Sequence, residues 1–280
     1  MHGTPVSDRL YCYCSRTRHS DRLQQGWNNR YPMCLILFAY DSHPDYRLIV
    51  AANRDEYYER PTEGARWRDS VLSGIDLLAG GTWLGLTRGG RFAALTNYRS
   101  PAEHVHGKAS RGELVHKYLH TGEEAETYAK ELETHRETYN GYNLLFGSVD
   151  DIWWFSNKAN GYVRLTPGVY GLSNHLLDTP WPKVERGKKL LKNAIAEGPA
   201  PEKLISILED THYPPENTLP STGVKPEVEK MLSPMFIKSD GYGTRSSTVI
   251  MAGRDGRVSF TEKTHDGNGH DGIFTDTFFI

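Results

Sequence analysis

The chain has 280 residues, with 38% hydrophobic residues, 24% charged residues and a formal net charge of −2 at pH 7. A chain of this length can bury a sizeable core as one domain, and its charge gives no electrostatic footprint for nucleic acid. No apolar run approaches the ~20 residues that span a bilayer, and the first 30 residues lack the apolar segment of a secretory signal peptide. We therefore expect a soluble, cytoplasmic protein with no transmembrane segment and no nucleic-acid partner.

The first 32 residues have no hydrophobic period and carry five arginines against two aspartates. Three origins fit this segment: an upstream start that is not used, a pro-segment cleaved before Cys34, or a disordered extension. We favour the unused start and assign residues 33–280 to a single domain. Two of the three cysteines, Cys12 and Cys14, lie in this leader. The remaining chain therefore has one cysteine, which is typical of a reducing compartment and excludes a disulfide framework.

Two apolar runs of strand length follow, Met33–Tyr40 and Leu48–Glu56, and the turn-forming residues 41–45 separate them. They predict a hairpin whose second strand delivers Asn53 and Asp55 beside Cys34. Residues two apart on a strand point to the same side. We therefore expect the two polar side chains to face one site together with the cysteine.

The remaining pattern alternates hairpins and helices. The predicted strands are residues 82–86, 92–97, 143–149, 152–156, 163–165, 169–173, 245–252, 257–264 and 274–280, and the predicted helices are residues 111–120, 123–138, 182–197 and 204–208. The strands at 163–165 and 169–173 are predicted to form a hairpin around Pro167-Gly168. Residues 213–226, rich in Pro, Thr and Ser, are predicted to form a surface loop or a lid. Hairpins and helices without a βαβ rhythm indicate an α+β layered fold.

Cys34 directly follows a methionine, and an aminopeptidase that removes Met33 would leave it as the first residue. A first-position cysteine carries both a thiol and an α-amine, which titrates near pH ~8 and can serve as general base for that thiol. The alternative is a buried strand cysteine with no chemical role, since free cysteines are among the most buried residues.

Several motifs occur in a fixed order along the chain. They are Asn53-Arg54-Asp55-Glu56, Gly80–Gly85, Ala93–Tyr98, Arg111–Leu114, Tyr139–Leu144, Leu165–Gly168, Tyr170–Asn174 and Gly241–Arg245. In this order, the motifs resemble the NRDE family, the family of transport and Golgi organisation protein 2. The resemblance covers everything except residues 1–32. It implies a four-layer αββα sandwich of antiparallel sheets, like that of N-terminal nucleophile hydrolases, nearest to the choloylglycine hydrolase group.

The resemblance also implies catalytic roles around Cys34, which would be the nucleophile. Asp55 matches the second residue of that group's Asn-x-Asp and would accept from the α-amine or hold the thiolate's surroundings in place. The group has an arginine where this chain has Ala52. Arg54 could substitute for it, but alternation along the strand places the Arg54 side chain on the side opposite Asn53 and Asp55. Asn53 and Arg54 are assigned to substrate binding.

Three more polar residues are expected at the site. Asn97 and Asn174 each end a predicted strand and resemble the asparagines that line the group's oxyanion site, although asparagine also favours strand ends as a turn residue. Arg245 begins a predicted strand late in the chain, near the position where the group has an arginine in its site. The alternative is that Arg245 forms a surface ion pair. Trp83 and Tyr98 are assigned to the core and the wall of the substrate pocket.

Two functions remain open from the sequence. The first is a cysteine hydrolase that cleaves a non-peptide C–N bond or a thioester, with an apolar acyl group. The second is a non-catalytic binding or trafficking protein for haem or lipid, since the family has been linked to Golgi organisation, secretion, lipid handling and haem mobilisation. We expect a small apolar or amphipathic ligand, no metal and no nucleotide cofactor; an association with an organelle is implied by the family alone. If haem is a ligand, His175 is the candidate for its axial position.

Overall fold

The computed structural model describes residues 33–267, 269 and 271–280. The predictions for residues 1–32 lie outside the described residues. The strands are β1 Met33–Tyr40, β2 Tyr46–Tyr57, β3 Thr62–Arg68, β4 Val71–Asp76, β5 Leu84–Thr87, β6 Arg91–Asn97, β7 Tyr142–Ser148, β8 Asp151–Ser156, β9 Tyr162–Arg164, β10 Gly168–Leu172, β11 Tyr242–Gly253, β12 Arg257–Thr264 and β13 Gly272–Phe279. The α-helices are α1 Gly112–Thr121, α2 Ala125–Thr134, α3 Pro182–Ala196, α4 Pro201–Leu208 and α5 Pro226–Met231.

The strands form two antiparallel sheets. One sheet has six strands in the order β10-β1-β2-β11-β12-β13, and the other has seven in the order β3-β4-β5-β6-β7-β8-β9. Residues from both sheets share one buried core, which therefore lies between them. A second core joins the six-stranded sheet to α3 and α4, and a third joins the seven-stranded sheet to α1 and α2. This arrangement confirms the predicted α+β fold with four layers, αββα.

β1 shows why its sequence is apolar without interruption. Ile36 and Phe38 contribute to the core between the sheets, whereas Leu35 and Leu37 contribute to the core under the helices. Because successive strand residues point to opposite faces, a strand buried on both faces needs apolar residues at every position. Cys34, the second residue of β1, therefore lies on a strand that is buried on both faces.

The predicted hairpin of β9 with β10 is wrong. β9 pairs with β8 in the seven-stranded sheet, and β10 pairs with β1 in the six-stranded sheet. The chain between them crosses from one sheet to the other, and Pro167, which has no backbone N–H to donate to a ladder, lies in that crossing. The crossing brings the residues after β10 alongside the beginning of β1.

The sequence also failed to predict the hairpin of β3 and β4, which pair with each other over residues 62–76. β3 is an edge strand in which only Ala65 is buried, so it lacks an apolar signal. The other predicted strands and the four predicted helices are confirmed, and residues 213–225 form a largely exposed segment with a short 3-10 turn. Among the described residues, no helix combines the length and apolar character needed to cross a bilayer.

Candidate active site around Cys34

Cys34 is buried, with 6% of its surface exposed. Its side chain lies on the face between the two sheets, because strand residues two apart point to the same side and Ile36 and Phe38 belong to the core between the sheets. In the β1–β2 ladder Cys34 is opposite Arg54. Arg54 is therefore on the cysteine's face, and its neighbours Asn53 and Asp55 are on the opposite face, beneath the helices. The expectation that both polar side chains share the face of the thiol is wrong, although they do share a face with each other.

Asn53 has a structural task on the helix-facing side. Its amide group donates to the carbonyl oxygens of Leu208 and Met235, both at 2.8 Å, and its oxygen accepts from the Ser247 hydroxyl at 2.7 Å. Both amide hydrogens are thus used to hold the chain around α4 and α5 against the sheet. This corrects the assignment of Asn53 to substrate binding.

Asp55 is buried on β2, opposite Met33, the first residue of β1. Its Oδ1 accepts from the Thr244 hydroxyl at 2.7 Å, and its Oδ2 has no hydrogen-bond partner among the described residues. Burial raises the pKa of the Asp55 carboxyl, whereas the charge of Lys183 lowers it. A buried carboxylate oxygen without a donor is costly, so this position is suited to an additional donor.

The Cys34 thiol is protonated at neutral pH in this chain. Burial, followed by the charge of Asp55, raises the pKa of the thiol to about 12. The Arg54 guanidinium and a hydrogen bond from the Asp55 backbone N–H lower the pKa but do not outweigh the burial. Since the thiolate is the reactive form, Cys34 needs a base before it can act as a nucleophile.

Asn174 contacts the backbone of Cys34. The Cys34 N–H donates to Asn174 Oδ1 at 3.4 Å, and the Ser173 hydroxyl donates to the Cys34 carbonyl oxygen at 3.0 Å. Asn174 Nδ2 in turn donates to the carbonyl oxygen of Asn97 at 2.9 Å. The structure therefore brings Cys34, Asn97 and Asn174 together, and the bond to Asn97 is to its backbone.

Asn143 is a site residue that the sequence reasoning did not assign. Its Nδ2 donates to the carbonyl oxygen of His175 at 2.9 Å and to the Thr96 hydroxyl at 3.1 Å, whereas its buried Oδ1 has no partner among the described residues. It therefore fixes the backbone next to Asn174. A polar residue inside the apolar strand Tyr142–Ser148 was the signal that could have found it.

A cluster of arginines and carboxylates lies at the end of β2, on the face of the sheet that carries the Cys34 thiol. Arg54 lies 3.3 Å from Asp76 and 3.8 Å from Glu56, and Arg60 contacts the same two carboxylates at 2.6 Å and 3.6 Å. Arg111 was also missed: burial lowers the pKa of its guanidinium, and Cys34 and Glu56 oppose that shift. Arg54 and Arg111 are thus both within electrostatic range of the thiol.

Arg245 is used to fix the backbone. Its guanidinium donates to the carbonyl oxygens of Tyr57 at 2.9 Å, Arg60 at 3.0 Å and His265 at 3.3 Å, with a further bond to the Thr62 hydroxyl at 3.2 Å. These bonds hold the connection between β2 and β3. The geometry thus corrects the assignment of Arg245 to catalysis and also replaces the alternative of a surface ion pair.

Tyr98 and His175 form an aromatic cluster beside Asn174. The Tyr98 hydroxyl is 2.8 Å from His175 Nε2, and His175 Nδ1 is 2.8 Å from the Thr179 hydroxyl. The ring of Trp181 lies 5.9 Å from the histidine ring. Both histidine nitrogens are therefore hydrogen-bonded, so haem ligation by His175 would require breaking one of these bonds.

Trp83 is partly buried and packs against the core between the sheets. This position fits the expected role as core and leaves its contact with a ligand a prediction. In the part of the chain that the structure describes, no group of three or more His, Cys, Asp or Glu side chains is arranged to hold a metal ion.

Comparisons with known proteins give a consistent result. The family model of Transport and Golgi organisation 2 matches residues 33–267. The human Transport and Golgi organization protein 2 homolog is 38% identical over 257 residues, which are 83% of this chain and 93% of that protein. The Drosophila melanogaster Transport and Golgi organization protein 2 is 29% identical over 269 residues, or 84% of this chain and 93% of that protein.

Two solved structures are similar at low sequence identity. The Caenorhabditis elegans ortholog of N-acylethanolamine-hydrolyzing acid amidase is 12% identical and has a TM-score of 0.43, over 78% of this chain and 92% of that chain. A mutant of the conjugated bile acid hydrolase from Clostridium perfringens is 10% identical and has a TM-score of 0.45, over 89% of this chain and 97% of that chain.

Proposed function

The chain belongs to the Transport and Golgi organisation 2 family, and we propose that this member is an N-terminal cysteine hydrolase. It would cleave a non-peptide C–N bond or a thioester whose acyl group is apolar. The observation that carries the proposal is the 3.4 Å contact between the Cys34 backbone nitrogen and Asn174 Oδ1. An acceptor held at this nitrogen would orient the α-amine that removal of Met33 creates.

The chemistry follows from the two groups of one residue. The neutral α-amine accepts the thiol proton, and the thiolate attacks the substrate carbonyl carbon to form a tetrahedral oxyanion. The oxyanion collapses as the C–N or C–S bond breaks, and the ammonium returns its proton to the leaving amine or thiol. Water, deprotonated by the same amine, then attacks the acyl-cysteine; the acid leaves and the thiol is restored.

Neighbouring groups would support these steps. The Asn174 amide has a second hydrogen beyond the one that bonds to Asn97, so it is a candidate donor to the oxyanion. Arg54, on the same face as Cys34, favours the thiolate. The uncommitted Oδ2 of Asp55 is a candidate acceptor for the new ammonium. Removal of one oxyanion donor typically costs about 3–4 kcal/mol of transition-state stabilisation.

Turnover by the mature chain tests the proposal. The protein beginning at Cys34 is incubated with N-acyl amides and acyl thioesters of increasing chain length, and its intact mass is followed during the reaction. We expect release of the acid, loss of turnover in Cys34→Ala, and an accumulating acyl ester in Cys34→Ser. Because Cys34 is the one cysteine after residue 32, an adduct on a thiol has a single location. Equal turnover in Cys34→Ala contradicts the proposal.

A second candidate is a binding or trafficking protein for a small apolar or amphipathic ligand such as a lipid or haem. Two observations favour it: the thiol is buried with a pKa of about 12, and the names of the relatives refer to Golgi organisation. A haem titration followed by absorbance, and a second titration with lipid supplied from vesicles, distinguish this function from the hydrolase. Stoichiometric binding that Cys34→Ala leaves unchanged, without turnover, favours this candidate.

A further inference from the structure

Lys183, the second residue of α3, is a buried cation that takes part in none of the steps of the proposed reaction. Only 5% of its surface is exposed, and its ammonium donates to the carbonyl oxygen of Leu232 at 3.0 Å. One carbonyl satisfies one of the three hydrogens of an ammonium group. Lysines are rarely buried unless they are paired, so a neighbouring anion is required.

Asp55 is that anion. It is 1% exposed on the helix-facing side of β2, and its Oδ2 has no hydrogen-bond partner among the described residues. Lys183 and Asp55 interact electrostatically, and Lys183 also interacts with Cys34. Asp55 is opposite Met33 in the β1–β2 ladder, and Met33 packs in the same core as Trp181 and Val184, which flank Lys183. Asp55 and Lys183 therefore share the buried layer between the six-stranded sheet and α3, next to the backbone at the beginning of β1.

We propose that Lys183 is a positioning residue that keeps the α-amine of mature Cys34 neutral, so that the amine can act as a base. The inference rests on the proposed function. A lone buried carboxylate would hold the amine as an ammonium ion, and an ammonium ion cannot accept the thiol proton. The charge of Lys183 balances Asp55 instead, which leaves the amine free to lose its proton.

The other charged groups near this region do not replace Lys183. Arg99 and Glu229 pair with each other at 2.8 Å, with 3% and 4% of their side chains exposed. Arg54 and Glu56 point to the opposite face of β2, toward the core between the sheets. The Tyr242 hydroxyl, which accepts from the Met33 N–H at 2.9 Å, stays neutral because burial and Asp55 raise its pKa.

The test titrates the amine itself. Residues 33–280 contain both sheets, every described helix and all three cores, so a chain translated from Met33 keeps every packing layer. After removal of Met33, a ¹⁵N-cysteine label marks one residue, because Cys34 is its one cysteine. The nitrogen shift is followed from pH 5 to 11 in the wild type, Lys183→Met, Lys183→Arg and Lys192→Met. Lys192 is an exposed residue of α3 and serves as the matched control.

We expect the wild-type amine to titrate below its ordinary pKa of ~8. Lys183→Met should raise the pKa by about one to two units, the size expected for the interaction of two unit charges in a protein interior with an effective dielectric constant of ~20. Lys183→Arg should retain most of the wild-type value, and Lys192→Met should not change it. If Lys183→Met does not fold, the wild-type and Lys183→Arg values decide.

A wild-type pKa at or above ~8, or an unchanged pKa in folded Lys183→Met, overturns the inference. A processed chain that has a low amine pKa but no turnover would overturn the hydrolase proposal and leave the role of Lys183 standing. A chain that turns substrate over with an amine insensitive to Lys183 would do the reverse. The two failures are therefore distinguishable.

Discussion

The reactivity of Cys34 before processing gives a quantitative prediction. Its thiol has a pKa of about 12 instead of the ordinary 9.0, a difference of about three pH units. At pH 8 the thiolate population, and with it the alkylation rate, should be about a thousandfold below that of a free cysteine. The thiol should therefore be inert in any chain that retains the residues before Cys34.

Asp55→Asn tests the physical cause of this shift. The substitution removes the charge that, after burial, raises the pKa most, and the amide oxygen can still accept from the Thr244 hydroxyl. With unit charges several ångströms apart in a protein interior, the pKa should fall by about one unit, and alkylation at pH 8 should be about tenfold faster. Asp255→Asn, in the exposed turn between β11 and β12, is the matched control.

The assay is alkylation of the full chain by iodoacetamide between pH 7 and 11, with the Cys34 peptide quantified by mass spectrometry to separate it from Cys12 and Cys14. The rate should rise about tenfold per pH unit across this range, without a plateau. A plateau near pH 9 would show that the thiol has an ordinary pKa, and an Asp55→Asn variant that is as slow as the wild type would show that Asp55 does not raise it.

Two further predictions concern stability. Glu229→Gln leaves the buried Arg99 charge unpaired and should lower the free energy of unfolding in urea by about 3–5 kcal/mol. Glu126→Gln, at the exposed pair with Lys130, should lower it far less, because solvent screens an exposed pair; equal losses would contradict this. Burial and the charge of Arg99 lower the pKa of His175, so the fold favours its neutral form. The stability that this contributes is present above pH ~6.5 and is lost as pH falls through the lower folded pKa. The free energy of unfolding should therefore fall less between pH 7 and pH 5 in His175→Gln than in the wild type. An equal fall in both proteins would exclude the effect.

The apolar residues predicted most of the strands and helices, because burial of one or both faces of such an element requires apolar residues at regular spacing in the sequence. β3 was not predicted because it is an edge strand with one buried residue, so its sequence has no apolar pattern. The partners of β9 and β10 could not be predicted, since short connections favour a hairpin and no local feature reveals that the chain changes sheet there. Pairing depends on the three-dimensional arrangement of all the strands.

The site was only partly predictable for a related reason. Alternation along β2 correctly placed Asn53 and Asp55 on one face, but the register that sets Cys34 opposite Arg54 decides which face the thiol shares. A one-residue change in register reverses that relation. Lys183 lies about 130 residues beyond Asp55 in the sequence and is brought to it by the packing of α3 on the sheet, which no spacing rule could show.

The proposed hydrolase requires that Cys34 is the first residue of the mature chain. Intact-mass and N-terminal peptide analysis of the protein purified from its native cells tests this directly. We predict a chain whose first residue is Cys34 with a free α-amine. A mature protein that retains Met33 or any residue before it would contradict the proposed hydrolase, because the thiol would then lack its base.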